Sequence, residues 1–248
     1  RRTVNHAVYS AVSGSLSALD RLDALTNNLA NASTPGFKAQ LLVQRSAHGK
    51  TGQAPGKVAT PFNHAELQTD FSQGPIERDG ATYHLAVSGK GFFVVDAGAS
   101  GQLLTRRGSF TLDQQGFLVN AENQRVQGDG GDIQLGDAAQ QGPIEVGNDG
   151  TIKQGLNSLG KVRVVTVADP QQLERASGSA FSPNGQTVID APDGTYDVQQ
   201  GALEGTNASP VTNLVALIET MRGFETYMTA TQRLDQVNDK LITDVARV

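Results

Sequence analysis

Residues able to do chemistry are few in this chain and poorly spaced for it. The four histidines, His6, His48, His64 and His84, form no pair at the i, i+4 helical or i, i+2 strand spacing that aims two imidazoles at one metal ion. Gly49-Lys50-Thr51 is the tripeptide that ends a phosphate-binding loop, but the preceding strand and upstream glycine that shape such a loop are missing, so it reads as coincidence. Gly128-Asp129-Gly130-Gly131-Asp132 has the carboxylate and glycine content of a calcium-repeat fragment. It occurs once, and a glycine-rich turn between strands is the better reading. Asp193 and Asp197 read as turn-flanking residues at least as well as acid-base catalysts. No G-x-S-x-G elbow is visible, and with no cysteine there is no thiol nucleophile, disulfide or thiolate metal site. The expectation is no catalysis, no cofactor and no essential metal.

Composition narrows the class further. The net charge is -5 over 248 residues, tryptophan is absent and aromatics are only 5%, which argues against phosphate attraction and base stacking. No nucleic-acid partner is expected. Leu, Ile, Val and Phe make up about a quarter of the chain, above the roughly 20% below which disorder is the better guess. The longest uninterrupted apolar run, Phe92-Phe93-Val94-Val95, falls far short of the roughly 20 residues of a membrane helix. Membrane insertion is not expected. After Arg1-Arg2, the residues Asn5, His6, Tyr9, Ser10, Ser13 and Ser15 interrupt any apolar stretch, so no cleavable secretion signal is visible.

The elements that must position these residues fall into three blocks. From Val4 to Ala32, Val8, Val12, Leu16, Leu19, Leu22, Leu25 and Leu29 recur at steps of three and four, a narrow helical stripe beside the small residues Ala7, Ala11, Gly14 and Ala18. Thr34-Pro35-Gly36 ends it, because proline biases its predecessor away from helical angles and glycine supplies a turn. At the other end, Ser209-Pro210 reads as an N-cap followed by proline at the first helical position. Leu214, Leu217, Ile218, Met221, Phe224, Met228, Leu234, Val237 and Leu241 then continue a second stripe, interrupted by Gly223. Both stripes exceed the usual globular helix and predict coiled-coil packing.

Between the helices the period changes to short runs of Val, Ile, Leu, Phe and Thr. Turn dipeptides such as Gln115-Gly116, Asn148-Asp149-Gly150, Asn184-Gly185 and Asp193-Gly194 punctuate them. The fold class expected is α+β, with long N- and C-terminal helices packing as a coiled coil around a central all-β domain. The organisation expected is a helix and Asn-rich turn over 1–40, an extended connector over 41–72, a β-rich domain over 73–199 and a C-terminal helix over 200–248.

The most specific segment is Asn27-Asn28-Leu29-Ala30-Asn31, followed by Ala32-Ser33-Thr34-Pro35-Gly36-Phe37-Lys38-Ala39-Gln40-Leu41. Three asparagines near a helix end weaken helix propensity, and their amides suit bonds across a helix-helix contact that fix its register. The segment resembles the N-terminal signature of the bacterial flagellar rod and hook family. The resemblance continues through Gly74-Pro75-Ile76-Glu77, Leu85 to Val95, Thr105-Arg106-Arg107-Gly108-Ser109-Phe110, Asn148 to Ile152, and Gln200-Gly201-Ala202-Leu203-Glu204-Gly205-Thr206-Asn207. Within the family the chain looks most like the proximal rod members, with the distal rod members second. It departs from them in carrying Thr212-Asn213 where an acidic pair is common.

The resemblance implies a structural subunit of the flagellar basal-body rod. Such a subunit is exported through the flagellar type III apparatus without a cleaved signal and polymerises through its terminal helices into a periplasmic tube that transmits torque. Its partners are then other copies of itself, neighbouring rod proteins and the export apparatus. Asn27, Asn28, Leu29, Ala30, Asn31, Thr34, Pro35, Gly36, Phe37, Lys38, Gly201, Leu203, Glu204 and Asn207 carry the family motif and the assembly register. Two other classes fit the same blocks: a β-rich periplasmic hydrolase dimerised by its helices, and an adhesin that pairs its helices within one chain.

Overall fold

The computed structural model describes the backbone of residues 2–47, 62–98, 101–135 and 142–245, and the side chains of 12–43, 66–98, 101–135, 142–234 and 236–237. Gly49-Lys50-Thr51 and His48 lie outside the described residues, as do the side chains of His6, Val8, His64 and Leu241. The chain divides into two units, one within residues 1–30, 40–69 and 209–248 and the other over 31–39 and 70–208.

The first unit holds two helices, α1 (Arg2–Ala30) and α2 (Pro210–Val245), and a pair of antiparallel strands, Gln40–Ala47 and Phe62–Thr69. The Ser209 hydroxyl accepts from the Thr212 N–H at 3.4 Å, the N-cap arrangement that the Ser-Pro pair predicts. α2 runs unbroken through Gly223. Residues 41–72, read from sequence as an extended connector, contain most of the strand pair, whose register runs from Gln40 opposite Thr69 to Ala47 opposite Phe62.

The expected coiled coil is not there. Among the described residues the chain has two α-helices and is otherwise mostly β-structure. The helices do meet, with Gly14 so close to the Tyr227 ring that an added Cβ would stand 2.8 Å from it. Yet a coiled coil buries its a and d stripe in the seam, and here the stripe faces out. Val12, Leu16 (57% exposed) and Leu19 on α1 are exposed, as are Leu214, Ile218 (45%), Met221, Met228 and Val237 on α2. Among the described residues of the α1 stripe only Leu25 is buried, while Leu22, Leu217, Phe224 and Leu234 are half-buried. The cause is simple: regular apolar spacing says which residues want cover, not which surface supplies it.

The second unit is antiparallel β-structure. Its largest sheet has ten strands, with Glu174–Arg175, Ala180–Ser182, Gln102–Thr105, Phe92–Asp96, Arg125–Gly128, Leu118–Val119 and Thr111–Leu112 in spatial order. Val164–Val167 pairs with Phe92–Asp96 and with Val188–Asp190. Three smaller sheets join Ile144–Val146, Thr151–Gln154 and Asn157–Lys161; Leu85–Gly89 and Tyr196–Gln200; and Ile76–Arg78 and Ala202–Glu204. The run Phe92-Phe93-Val94-Val95 explains the core. Successive side chains of a strand point to opposite faces, so Phe93 and Val95 enter one apolar cluster with Leu85, Val87 and Phe110, while Phe92 and Val94 enter another with Leu104, Val165 and Phe181. An unalternating run is what a strand buried on both faces requires.

Candidate functional site

The family-like segment that follows α1 folds as a tight turn of the β unit. The Thr34 N–H donates to the Asn31 carbonyl at 3.0 Å and its hydroxyl to Asn31 Oδ1 at 3.2 Å. Gly36 takes φ 67°, and a Cβ there would sit 2.3 Å from the Arg107 nitrogen, so both conformation and space demand glycine. Its N–H donates to the Glu204 carbonyl at 2.7 Å. Phe37 packs with Ala39 and Ala208, and the Arg175 guanidinium lies 4.8 Å from the centre of the Phe37 ring.

The turn delivers Lys38 into the interior. Its Nζ lies 2.6 Å from Glu204 Oε1 and 2.6 Å from the Ser72 carbonyl, with the Lys38 and Glu204 side chains 1% and 0% exposed. Arg106 approaches the other carboxylate oxygen, Nη1 to Glu204 Oε2 at 3.1 Å, and also donates to the carbonyls of Val87 at 3.0 Å and Gly89 at 2.7 Å. The Gly74 N–H gives Glu204 Oε1 a further donor at 3.0 Å. Two buried cations thus share one buried carboxylate, and the Arg106 Nε has no partner. Burial pushes the Lys38 ammonium below its ordinary value and does the same to Arg106, while the attraction of Glu204 opposes both shifts. Burying ions is costly unless each is paired and hydrogen-bonded. The carbonyls of Ser72, Val87 and Gly89 supply those extra bonds.

Asn207 closes the same region. Its Oδ1 accepts from the Ala39 N–H at 2.7 Å, and its Nδ2 donates to the Asp70 carbonyl at 2.8 Å and to the Ser72 hydroxyl at 3.0 Å. The Asp70 N–H in turn donates to the Ala39 carbonyl at 2.8 Å. One amide therefore ties together three places, next to residues 39, 70 and 208, where the backbone leaves this unit. Gly201, at φ 67°, accepts from the N–H groups of Asp79 and Gly80 and holds the turn before strand Ala202–Glu204, in which Leu203 stands opposite Glu77.

The structure brings Lys38, Glu204 and Asn207 together with the turn Thr34 to Phe37. In the helical unit, Asn28 is buried and its amide makes a two-way pair with the Gln40 backbone, Nδ2 to the carbonyl and Oδ1 from the N–H, both at 2.8 Å. That bond is to a strand of its own chain rather than to another helix. Asn27 is exposed, Leu29 half-buried and Ala30 exposed. Sequence reasoning gave no role to Arg106, Arg175, Ser72 or Gly74. Gly74 and Arg106 stand in the family-like runs Gly74 to Glu77 and Thr105 to Phe110, but nothing in those runs shows what they bond. Of the acidic candidates, Asp132 bonds to Arg125 and Gln127, and Asp193 to Lys161. Among the described residues, no group of three or more His, Asp or Glu is arranged to hold a metal ion.

A buried carboxylate held between two buried cations and a backbone N–H is a structural junction. Its members come from three widely separated stretches, and the same three stretches match known families. Residues 9–38 match the flagella basal body rod protein family, residues 86–154 the flagellar hook protein FlgE/F/G D1 domain, and residues 199–244 the flagellar basal body rod FlgEFG protein C-terminal family. The flagellar basal-body rod protein FlgF of Caulobacter vibrioides is 34% identical over 229 residues, covering 90% of both chains. FlgG of Bacillus subtilis is 28% identical over 260 residues, covering 95% of this chain and 97% of its own. FlgF of Salmonella typhimurium is 26% identical over 253 residues, covering 94% and 95%. The chain belongs to the family of flagellar basal-body rod proteins.

Proposed function

We propose that this chain is a structural subunit of the flagellar basal-body rod, that it occupies the proximal part, and that it polymerises through its terminal helices. One observation carries the reading: both helices expose the apolar residues that their sequences space regularly, Val12, Leu16 and Leu19 on one and Leu214, Ile218, Met221 and Met228 on the other. Apolar surface gains roughly 25 cal/mol per Å² when removed from water, so such faces favour cover by neighbours. Copies of this chain and neighbouring rod proteins supply that cover, and a contact that repeats without closing builds a helical tube. The 34% identity to a relative named FlgF over nine-tenths of both chains supports the proximal reading.

The motif around Asn27, Asn28, Asn31, Thr34 to Lys38 and Gly201 to Asn207 sets the register of assembly by fixing the backbone where it enters and leaves the helices. The buried bonds of Lys38, Glu204 and Asn207 support this role. The chain is not an enzyme; the polar groups of its conspicuous cluster are spent on one another inside the protein, and its family is structural. It reaches the periplasm through the flagellar type III apparatus. The test is complementation of a strain lacking the protein with a Leu16→Asp, Ile218→Asp double variant. A variant that folds, by circular dichroism, yet gives no rods and no motility is expected. Normal rods and normal swimming would refute assembly through the helix faces.

A further inference from the structure

Asn184-Gly185 is the one Asn-Gly pair in the chain. It occupies the turn between strands Ala180–Ser182 and Val188–Asp190, closed by the Gln186 N–H donating to the Pro183 carbonyl at 3.0 Å. Asn184 and Gly185 take φ 50° and 75° and are both exposed. Among the described residues the Gly185 N–H makes no hydrogen bond, the Asn184 amide has no partner, and nothing lies within 4 Å of where a Cβ on Gly185 would stand.

We propose that this pair is the chain's main site of spontaneous backbone modification, turning Asn184 into aspartate and isoaspartate. The Gly185 backbone nitrogen loses its proton and attacks Asn184 Cγ; the new C–N bond forms as the Cγ–Nδ2 bond breaks, and ammonia carries away the side-chain nitrogen. Water then opens the resulting succinimide at either carbonyl, so the net change is one water consumed and one ammonia released, with nothing oxidised or reduced. Each event adds a negative charge. Opening toward isoaspartate also routes the backbone through an extra methylene, in a turn whose next residue, Gln186, is pinned to Asp169 by bonds from Nε2 to the carbonyl and from the Asp169 N–H to Oε1.

Several other sites lack one requirement or another, and at Asp129-Gly130 and Asp193-Gly194 the side chain is a carboxylate, a poorer electrophile than the amide of Asn184. The amides of Asn28, Asn120 and Asn207 are held in hydrogen bonds. Asp79 and Asp149 also precede glycine, but the Gly80 and Gly150 N–H groups donate to the carbonyls of Gly201 and Gly147. Their carboxyls are held below the ordinary aspartate value by the N–H of Ala81 with His84, and by the hydroxyl and N–H of Thr151. That favours the ionised form, the poorer electrophile.

The test is to incubate the folded full-length chain at mildly alkaline pH and physiological temperature, then digest it. Peptide masses and isoaspartyl-methyltransferase labelling are followed over time. The peptide containing Asn184 is expected to gain about one dalton and the methyl label several-fold faster than any other, and Asn184→Asp to abolish the mass gain there. A first modification at another asparagine, Asn157 for example, overturns the proposal. So does an Asn184 that stays intact in the folded chain while it is modified in the chain unfolded by urea.

Discussion

The two units invert the usual distribution of polarity in opposite directions. The helical unit carries exposed leucine, isoleucine and methionine along both helices, whereas the β unit carries a lysine, an arginine and a glutamate in its interior. Both arrangements cost free energy in an isolated chain, but they are relieved differently. The buried ions find their counter-charges within the unit, so the ion pairs are formed before any neighbour arrives. The exposed part of the stripe finds no cover among the described residues, and under the proposed assembly its free energy is recovered on contact with another subunit. Charge inside fixes a shape, while apolar surface outside leaves a contact to be made.

The contrast is broken most strongly by removing the shared carboxylate charge. Glu204→Gln leaves Lys38 and Arg106 buried without their shared ion-pair partner, a change that costs about 3 to 5 kcal/mol in buried pairs. Urea unfolding of the purified chain should show a loss of that size, and a loss below about 1 kcal/mol would mean that the cluster is solvated. Asn207→Ala removes a side chain that bonds residues 39, 70 and 72 and leaves partly buried backbone groups unpaired, at about 1 to 3 kcal/mol. The same unfolding measurement ranks it below Glu204→Gln.

Lys38 sharpens the comparison through pH. The groups facing its ammonium are Glu204 and Asp70, which raise its pKa, and Arg106, which lowers it together with burial; the net direction is down from 10.5. Between the lowered value and 10.5 the unfolded chain holds the extra proton, so the lysine's contribution to stability rises with pH in that window. Below it the ammonium is charged in both states and the contribution is flat. The unfolding midpoint of the wild type should therefore gain on that of Lys38→Met as pH rises through the window, by less than the Glu204 effect. A gain for the variant reverses the sign. The smallest effect on the monomer belongs to the exposed stripe, where Leu16→Ser or Ile218→Ser should change unfolding free energy by no more than about 0.5 kcal/mol while reducing rod assembly measured by recovery of basal bodies.

Local chemistry made the terminal helices legible. The three-and-four spacing, Thr34-Pro35-Gly36 and Ser209-Pro210 mark helices that run Arg2–Ala30 and Pro210–Val245. The central strand was legible as an apolar run, though its burial on both faces emerges only from the sheet order. What covers the stripes was not legible, because periodicity describes one helix and a seam needs two. The ion cluster was half legible: Lys38 and Glu204 lay in the family-like motifs, but they sit 166 positions apart, and Arg106 lies 98 from Glu204. No local pattern records a pairing over such distances. The strands over Gln40–Ala47 and Phe62–Thr69 escaped notice for a related reason, since fourteen residues separate them where a hairpin signature needs two to five.

Because the chain contains no cysteine, a single introduced one reports on a single place. The most direct test of assembly through the helix faces compares maleimide labelling of Leu16→Cys and Ile218→Cys in the purified monomer and in isolated basal bodies, with Leu156→Cys on the β unit, where Leu156 is fully exposed, alongside. Rapid labelling of all three in the monomer, with Leu16→Cys and Ile218→Cys protected in basal bodies, is expected. Equal labelling of Leu16→Cys and Ile218→Cys in the two states would contradict it.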